Sequence, residues 1–128
     1  VSLSPHEYIR HILDEIDYIL SQISDTNFDS FLKDATLKRA FVRSLEIIGE
    51  ASKKLPEDIK SMQPGIEWRK VSGMRDRLIH DYFGVDYTIV WDVAITKLPD
   101  LRVKLQALLE ATEKRQQARA SDTKSRRH

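Results

Sequence analysis

A chain of 128 residues and 14.9 kDa without a single cysteine has room for one cored domain, and it excludes disulfides, thiolate metal sites and cysteine nucleophiles. Its formal net charge of +1 gives no global attraction to nucleic acid, so any such binding has to come from local patches. No apolar run approaches the roughly 18 residues that a membrane span requires and no basic-then-apolar leader opens the chain; a soluble, cytoplasmic protein without a membrane partner is expected.

Only four Gly and four Pro interrupt a sequence that is 41% apolar and 32% charged, with the charges recurring at helical spacing. Ser4-Pro5-His6-Glu7 has the form of a capping box with Pro at the first helical position. Ile9, Ile12, Leu13, Ile16, Ile19, Leu20 and Ile23 follow at three- and four-residue steps, which predicts an amphipathic helix of about five turns. His6 and His11 fall on its polar side and are expected at the surface. Phe28, Phe31 and Leu32 predict a short helical turn before Asp34, and a second long helix is expected from about Ala35 to Lys54, with Leu37, Ala40, Phe41, Ser44, Leu45, Ile48 and Ala51 inward. Arg39 and Arg43, like Glu46 and Glu50, are like-charged neighbours four apart, which points either to neutralising partners outside the helix or to a solvated face balanced by Lys53 or Lys38 on the same helix. Gly49 in mid-helix costs about 1 kcal/mol relative to Ala, so another helix backbone is expected to approach it closely.

Leu55-Pro56-Glu57-Asp58 ends that helix and begins a short one, which Pro64-Gly65 stops. Trp68 is expected to open the helix that carries the chemically richest stretch, Met74 to Gly84, with Gly84 closing it. Asp86 is placed to cap the next helix, through Ile89, Val90, Trp91, Val93, Ala94 and Leu98, which Pro99 interrupts or kinks; Leu101, Leu105, Leu108 and Leu109 extend its stripe. From Glu113 the chain becomes wholly polar. Residues 1–112 therefore read as an all-α, up-and-down bundle of four to six helices, and residues 113–128 as a basic tail expected to be disordered.

The Met74–Gly84 stretch orders its residues as R-x-x-x-x-H-x-Y, with Arg75, His80 and Tyr82. On a continuous helix Arg75 and Tyr82 would share a face about 10 Å apart, with His80 at its border. A planar cation and an imidazole that titrates near neutrality suit acid–base work beside a phosphate. Two plainer readings stand beside that one. Asp76–His80 and Arg77–Asp81 have the spacing of ordinary helix-surface pairs, and Arg75 or His80 could form buried ion pairs with Glu46 or Glu50. The four histidines lack metal-ligand spacing, so no metal site is expected.

Arg75-x-x-x-x-His80-x-Tyr82, preceded by Trp68-Arg69-Lys70-Val71-Ser72-Gly73-Met74 and followed by Phe83-Gly84-Val85-Asp86, closely resembles the signature of HepT-like proteins of the HEPN superfamily. The segments Arg43 to Ala51, Val90-Trp91 and Leu98-Pro99-Asp100-Leu101 extend the likeness over most of the chain. The resemblance implies a homodimer with the motifs of two subunits facing across a basic cleft. It further implies a toxin of a toxin–antitoxin pair that cleaves RNA, such as tRNA or mRNA, without a metal or other cofactor. The partner implied is a nucleotidyltransferase-fold antitoxin that modifies Tyr82 with AMP, ATP serving only as the donor. Arg75 and His80 would be catalytic, with Asp76, Arg77, Asp81, Arg43 and Glu46 supporting or RNA-binding. The alternative is a non-catalytic adaptor whose cleft only binds the nucleotidyltransferase or a nucleotide.

Overall fold

The computed structural model describes residues 3–80 and 84–126. Three long helices frame it: α1 (Pro5–Ile23), α3 (Ala35–Lys53) and α8 (Leu98–Arg126). The Ser4 side chain accepts from the Glu7 amide to cap α1, and Asp34 does the same for α3 through Leu37, so both starts lie where the sequence puts them. Cross-links fix the directions. Glu15 meets Ser44 and Tyr18 meets Phe41, so α1 and α3 are antiparallel. His6 pairs with Glu113 and Asp17 with Arg102, so α1 and α8 are antiparallel too. Helices α3 and α8 therefore run the same way, and the chain between them has to return.

That return leg is not the single helix expected from Trp68 onward. It consists of α4 (Glu57–Lys60), α5 (Trp68–Ser72) and α6 (Met74–Leu78), followed by β1 (Ile79–His80), which pairs antiparallel with β2 (Gly84–Val85). The core is continuous, with Ile9, Ile12, Ile16, Leu45, Ile48, Leu78, Leu98 and Leu105 among its fully buried side chains. Helix α2 (Phe28–Lys33) is held by aromatic rings. The Phe31 ring packs tilted against Phe41 at 5.0 Å and Trp91 at 5.1 Å, with Tyr87 edge-on at 6.5 Å.

After the ladder, Asp86 accepts from the Thr88 and Ile89 amides and caps α7 (Tyr87–Asp92), as its sequence position predicts. A π-helical turn (Val93–Lys97) then joins α7 to α8. Pro99 explains the wide turn: its ring would strike the carbonyl of Ile95, four residues back, in a regular helix. Instead Leu98 donates to the carbonyl of Val93, five residues back, and Pro99 occupies the second position of α8, where a missing N–H costs little. The interruption expected at Pro99 is thus a widening one turn ahead of it.

The polar segment after Glu113, expected to be disordered, is helical through Arg126 as the continuation of α8, and from Gln116 to Lys124 it is exposed. Its Ala, Glu, Lys, Gln and Arg residues are strong helix formers, and neither Gly nor Pro follows Pro99. His6, read as a plain surface residue, is half-buried, with Nε2 2.8 Å from Glu113 Oε1; His11 is exposed.

Candidate active site

Backbone contacts place the motif. Gly49 on α3 is buried, and a Cβ there would lie 3.3 Å from the Val71 carbonyl oxygen and 3.4 Å from that of Ser72. The missing side chain lets α5 rest its last turn directly on α3, the close approach that Gly49 predicts. One turn on, the fully buried Ser52 hydroxyl donates to the Gly49 carbonyl at 2.8 Å and lies 3.2 Å from Ser72 Oγ. The other end of α5 is tied by Trp68, whose indole N–H is shared between the carbonyls of Lys60 and Gln63, each at 3.1 Å. These carbonyls, at the end of α4 and in the turn after it, also accept from the Gln63 and Ile66 amides, so the indole adds a second donor to each. Trp68→Phe keeps most of the apolar surface and removes that donor. It is expected to lower stability by about 0.5–1.5 kcal/mol, measurable as a reduced urea midpoint at unchanged slope.

Gly73 separates α5 from α6, with its amide donating to the Arg69 carbonyl at 3.0 Å. Met74 and Leu78 turn inward from α6, while Arg75, Asp76 and Arg77 are exposed. Helix α6 stops at Leu78. Ile79 takes extended dihedrals (φ −99°, ψ 123°), Ile79 pairs with Val85 and His80 with Gly84, and the Asp86 amide donates to the Leu78 carbonyl at 2.8 Å. Gly84 does not close a helix. It sits in β2 at φ +80°, a conformation a side chain would strain. The expectation of His80 at the border of Arg75's helical face is therefore corrected: α6 stops at Leu78 with Arg75 on it, and His80 lies beyond its end on β1. The same end point takes His80 off the helix on which the Asp76–His80 spacing was read. Asp81 and Tyr82, expected to be a supporting residue and the site of AMP modification, lie outside the described residues, and of His80 the structure gives the backbone position on β1.

Among the described residues Arg75, Asp76 and Arg77 have no ion pair or side-chain hydrogen bond. The two carboxylates that could have held Arg75 are engaged within α3: Glu46 lies 3.7 Å from Arg43, and Glu50 lies 3.4 Å from Lys53. For Arg43, Glu46 and Glu50 the compensation thus comes from three residues away on the same helix, with Lys53 among the partners, while Arg39 has no ion pair among the described residues. Arg43 is largely exposed and Glu46 partly so.

Sequence reasoning missed a groove on the far flank of α6. Arg77 and Met74 form one wall, α5 and its preceding loop another, and the π-helical turn with the start of α8 the third, enclosing about 210 Å³. Lys70, Lys97 and Lys104 stand around Glu67 there. The hydrogen bond from Lys70, 3.0 Å away, holds the Glu67 carboxyl below its ordinary range, and the charges of Lys70, Lys97 and Lys104 act in the same direction. The available signal was Pro99, two residues after Lys97, which forces the wide turn. Among the described residues no three His, Asp or Glu side chains converge as a metal site, and no helix is long and apolar enough to cross a membrane.

The fold and the site together define an all-α bundle protein whose R-x-x-x-x-H motif straddles a helix end. The family model described as "Ribonuclease HepT-like" matches residues 9–108, and the chain belongs to this family of ribonucleases. It is 42% identical over 107 residues to "Putative RNase TTE0752" of Caldanaerobacter subterraneus subsp. tengcongensis, covering 84% of this chain and 96% of that relative. It is 41% identical over 105 residues to "Probable ribonuclease HepT" of Thermococcus cleftensis, covering 82% and 96%, and 40% identical over 106 residues to "Putative RNase MJ0127" of Methanocaldococcus jannaschii, covering 83% and 88%. No solved structure matches the chain significantly.

Proposed function

We propose that the chain is the toxin of a toxin–antitoxin pair, a homodimeric endoribonuclease in which Arg75 and His80 cleave RNA without a metal ion. The observation that carries this reading is the state of Arg75: an exposed guanidinium, unpartnered among the described residues, on a five-residue helix anchored at both ends of the preceding turn. A structural arginine would be engaged by Glu46 or Glu50, and both have other partners. A free planar cation suits bidentate contact with a phosphate.

In the reaction, the ribose 2′-oxygen attacks the adjacent phosphorus and the bond to the 5′-oxygen breaks, leaving a 2′,3′-cyclic phosphate and a 5′-hydroxyl. One imidazole serves as base toward the 2′-hydroxyl, and a second returns a proton to the departing 5′-oxygen, roles open to a side chain that carries or releases a proton in the physiological range. One chain supplies one motif histidine and a dimer supplies two. Arg75 offsets the charge gathering on the phosphoryl oxygens. A nucleotidyltransferase-fold antitoxin silences the enzyme when the Tyr82 hydroxyl attacks the α-phosphorus of ATP, releasing pyrophosphate. The attached AMP adds bulk and negative charge where RNA enters.

The test is incubation of the purified protein with end-labelled tRNA and with mRNA in the presence of EDTA. Discrete fragments ending in a cyclic phosphate are expected. RNA that is bound and recovered intact would support the adaptor reading instead.

A further inference from the structure

We propose that the groove between α6, the π-helical turn and α8 is a second RNA subsite, which takes the phosphate of a nucleotide remote from the scissile bond. This rests on the ribonuclease reading and adds a binding position to it. Four basic side chains (Lys70, Arg77, Lys97 and Lys104) line the groove against two carboxylates, Glu67 and Asp100, an excess of two positive charges in a molecule whose net charge is +1. The carboxylates are matched: Lys70 lies 3.0 Å from Glu67, and Lys104 lies 2.9 Å from Asp100. Arg77 and Lys97 remain without an ion pair among the described residues. A nucleic-acid strand carries one negative charge per nucleotide, so a single phosphate between Arg77 and Lys97 complements what the groove leaves unmatched.

Continuity with the motif makes RNA the occupant rather than an acidic protein segment. Arg75 and Arg77, two apart on α6, project to opposite flanks of that helix, so a strand lying across α6 from Arg75 reaches Arg77 and the groove after about one helix diameter, roughly 10–12 Å. The wide turn contributes as well. It brings Val93, Lys97 and Leu98 onto the groove wall, and π-helical turns are found frequently at functional sites.

The experiment measures binding of fully 2′-O-methylated RNA, which lacks the attacking hydroxyl, to the full chain. A dinucleotide and a 12-mer are compared for wild type, Lys97→Gln, Lys97→Glu and a control of equal charge change away from the groove, Lys33→Glu. Lys97 is exposed, so these variants fold. For the 12-mer, Lys97→Glu is expected to weaken binding about tenfold or more, and Lys97→Gln to reduce the salt slope by about 1. The dinucleotide is expected to bind all four proteins alike. If Lys97→Glu and Lys33→Glu bind the 12-mer equally, or if Lys97→Glu disrupts only capture of the antitoxin, the subsite is overturned while His80-dependent cleavage by wild type still stands. If wild type neither binds nor cleaves RNA, the ribonuclease reading fails and takes the subsite with it.

Discussion

His80→Ala is expected to slow RNA cleavage by about 10²–10⁴-fold, the usual worth of a positioned general acid or base, and Arg75→Ala by about 10²–10³-fold, as when a single donor to transition-state charge is removed. Neither change should unfold the protein. Arg75 is exposed and without an ion pair among the described residues, and surface substitutions of that kind stay within about 0.5 kcal/mol. The measurement is therefore double: initial cleavage rates on one RNA, and thermal unfolding of the same preparations. If the pair acts as proposed, rate and stability separate. If Arg75 and His80 instead held the bundle together as ion pairs with Glu46 or Glu50, melting temperature would fall and cleavage would persist. Arg75→Lys sharpens the assignment, because an ammonium keeps the charge and loses the planar fork. A rate close to that of Arg75→Ala would assign the guanidinium to bidentate phosphate contact.

How much of this was legible beforehand depended on whether the determinant was local. The caps read at Ser4 and Asp86 use side chains and amides two or three residues apart, and hydrophobic periodicity assigned α1 and α3 to within a residue at each end. Gly49 was legible because a glycine inside a helix has a cost that needs a reason. The end of α6 was not. Its residues Met74 to Leu78 continue plausibly into Ile79 and His80, and only the pairing of Ile79 with Val85, together with the Asp86 amide reaching back to Leu78, ends the helix. Those contacts depend on Gly84 at φ +80°, and a glycine near a helix end reads equally well as a helix stop. Long-range ties escaped for the same reason. Glu113 and Arg102 give no sign in sequence that they meet His6 and Asp17, and Trp68 reads only as the residue that opens its helix, with no sign that its indole N–H fastens that start to the carbonyls of Lys60 and Gln63. The motif itself was readable as residue types, but its geometry was set by partners distant in the chain.

That dependence makes Gly49 the position from which the site can be disturbed without touching the motif. Gly49→Ala gains about 1 kcal/mol of helix propensity and sets a methyl group 3.3 Å from one carbonyl oxygen and 3.4 Å from another. The opposing effects nearly cancel, and stability close to wild type is expected. Gly49→Val has no such compensation, since a β-branched residue gains less in a helix and its added methyl groups meet backbone, which cannot swing aside as a side chain can. Overpacking of this kind costs about 1–3 kcal/mol, a fall in melting temperature of roughly 4–12 °C for a domain of this size. The strain is relieved most readily by lifting α5 from α3, which breaks the Ser52–Ser72 contact and shifts α6 with Arg75 on it. Gly49→Val is therefore expected to lose cleavage activity even at temperatures where it is fully folded. Circular dichroism fixes the folded fraction and RNA turnover at that temperature gives the rate. Wild-type turnover by folded Gly49→Val would mean that the seat of α5 on α3 does not position Arg75.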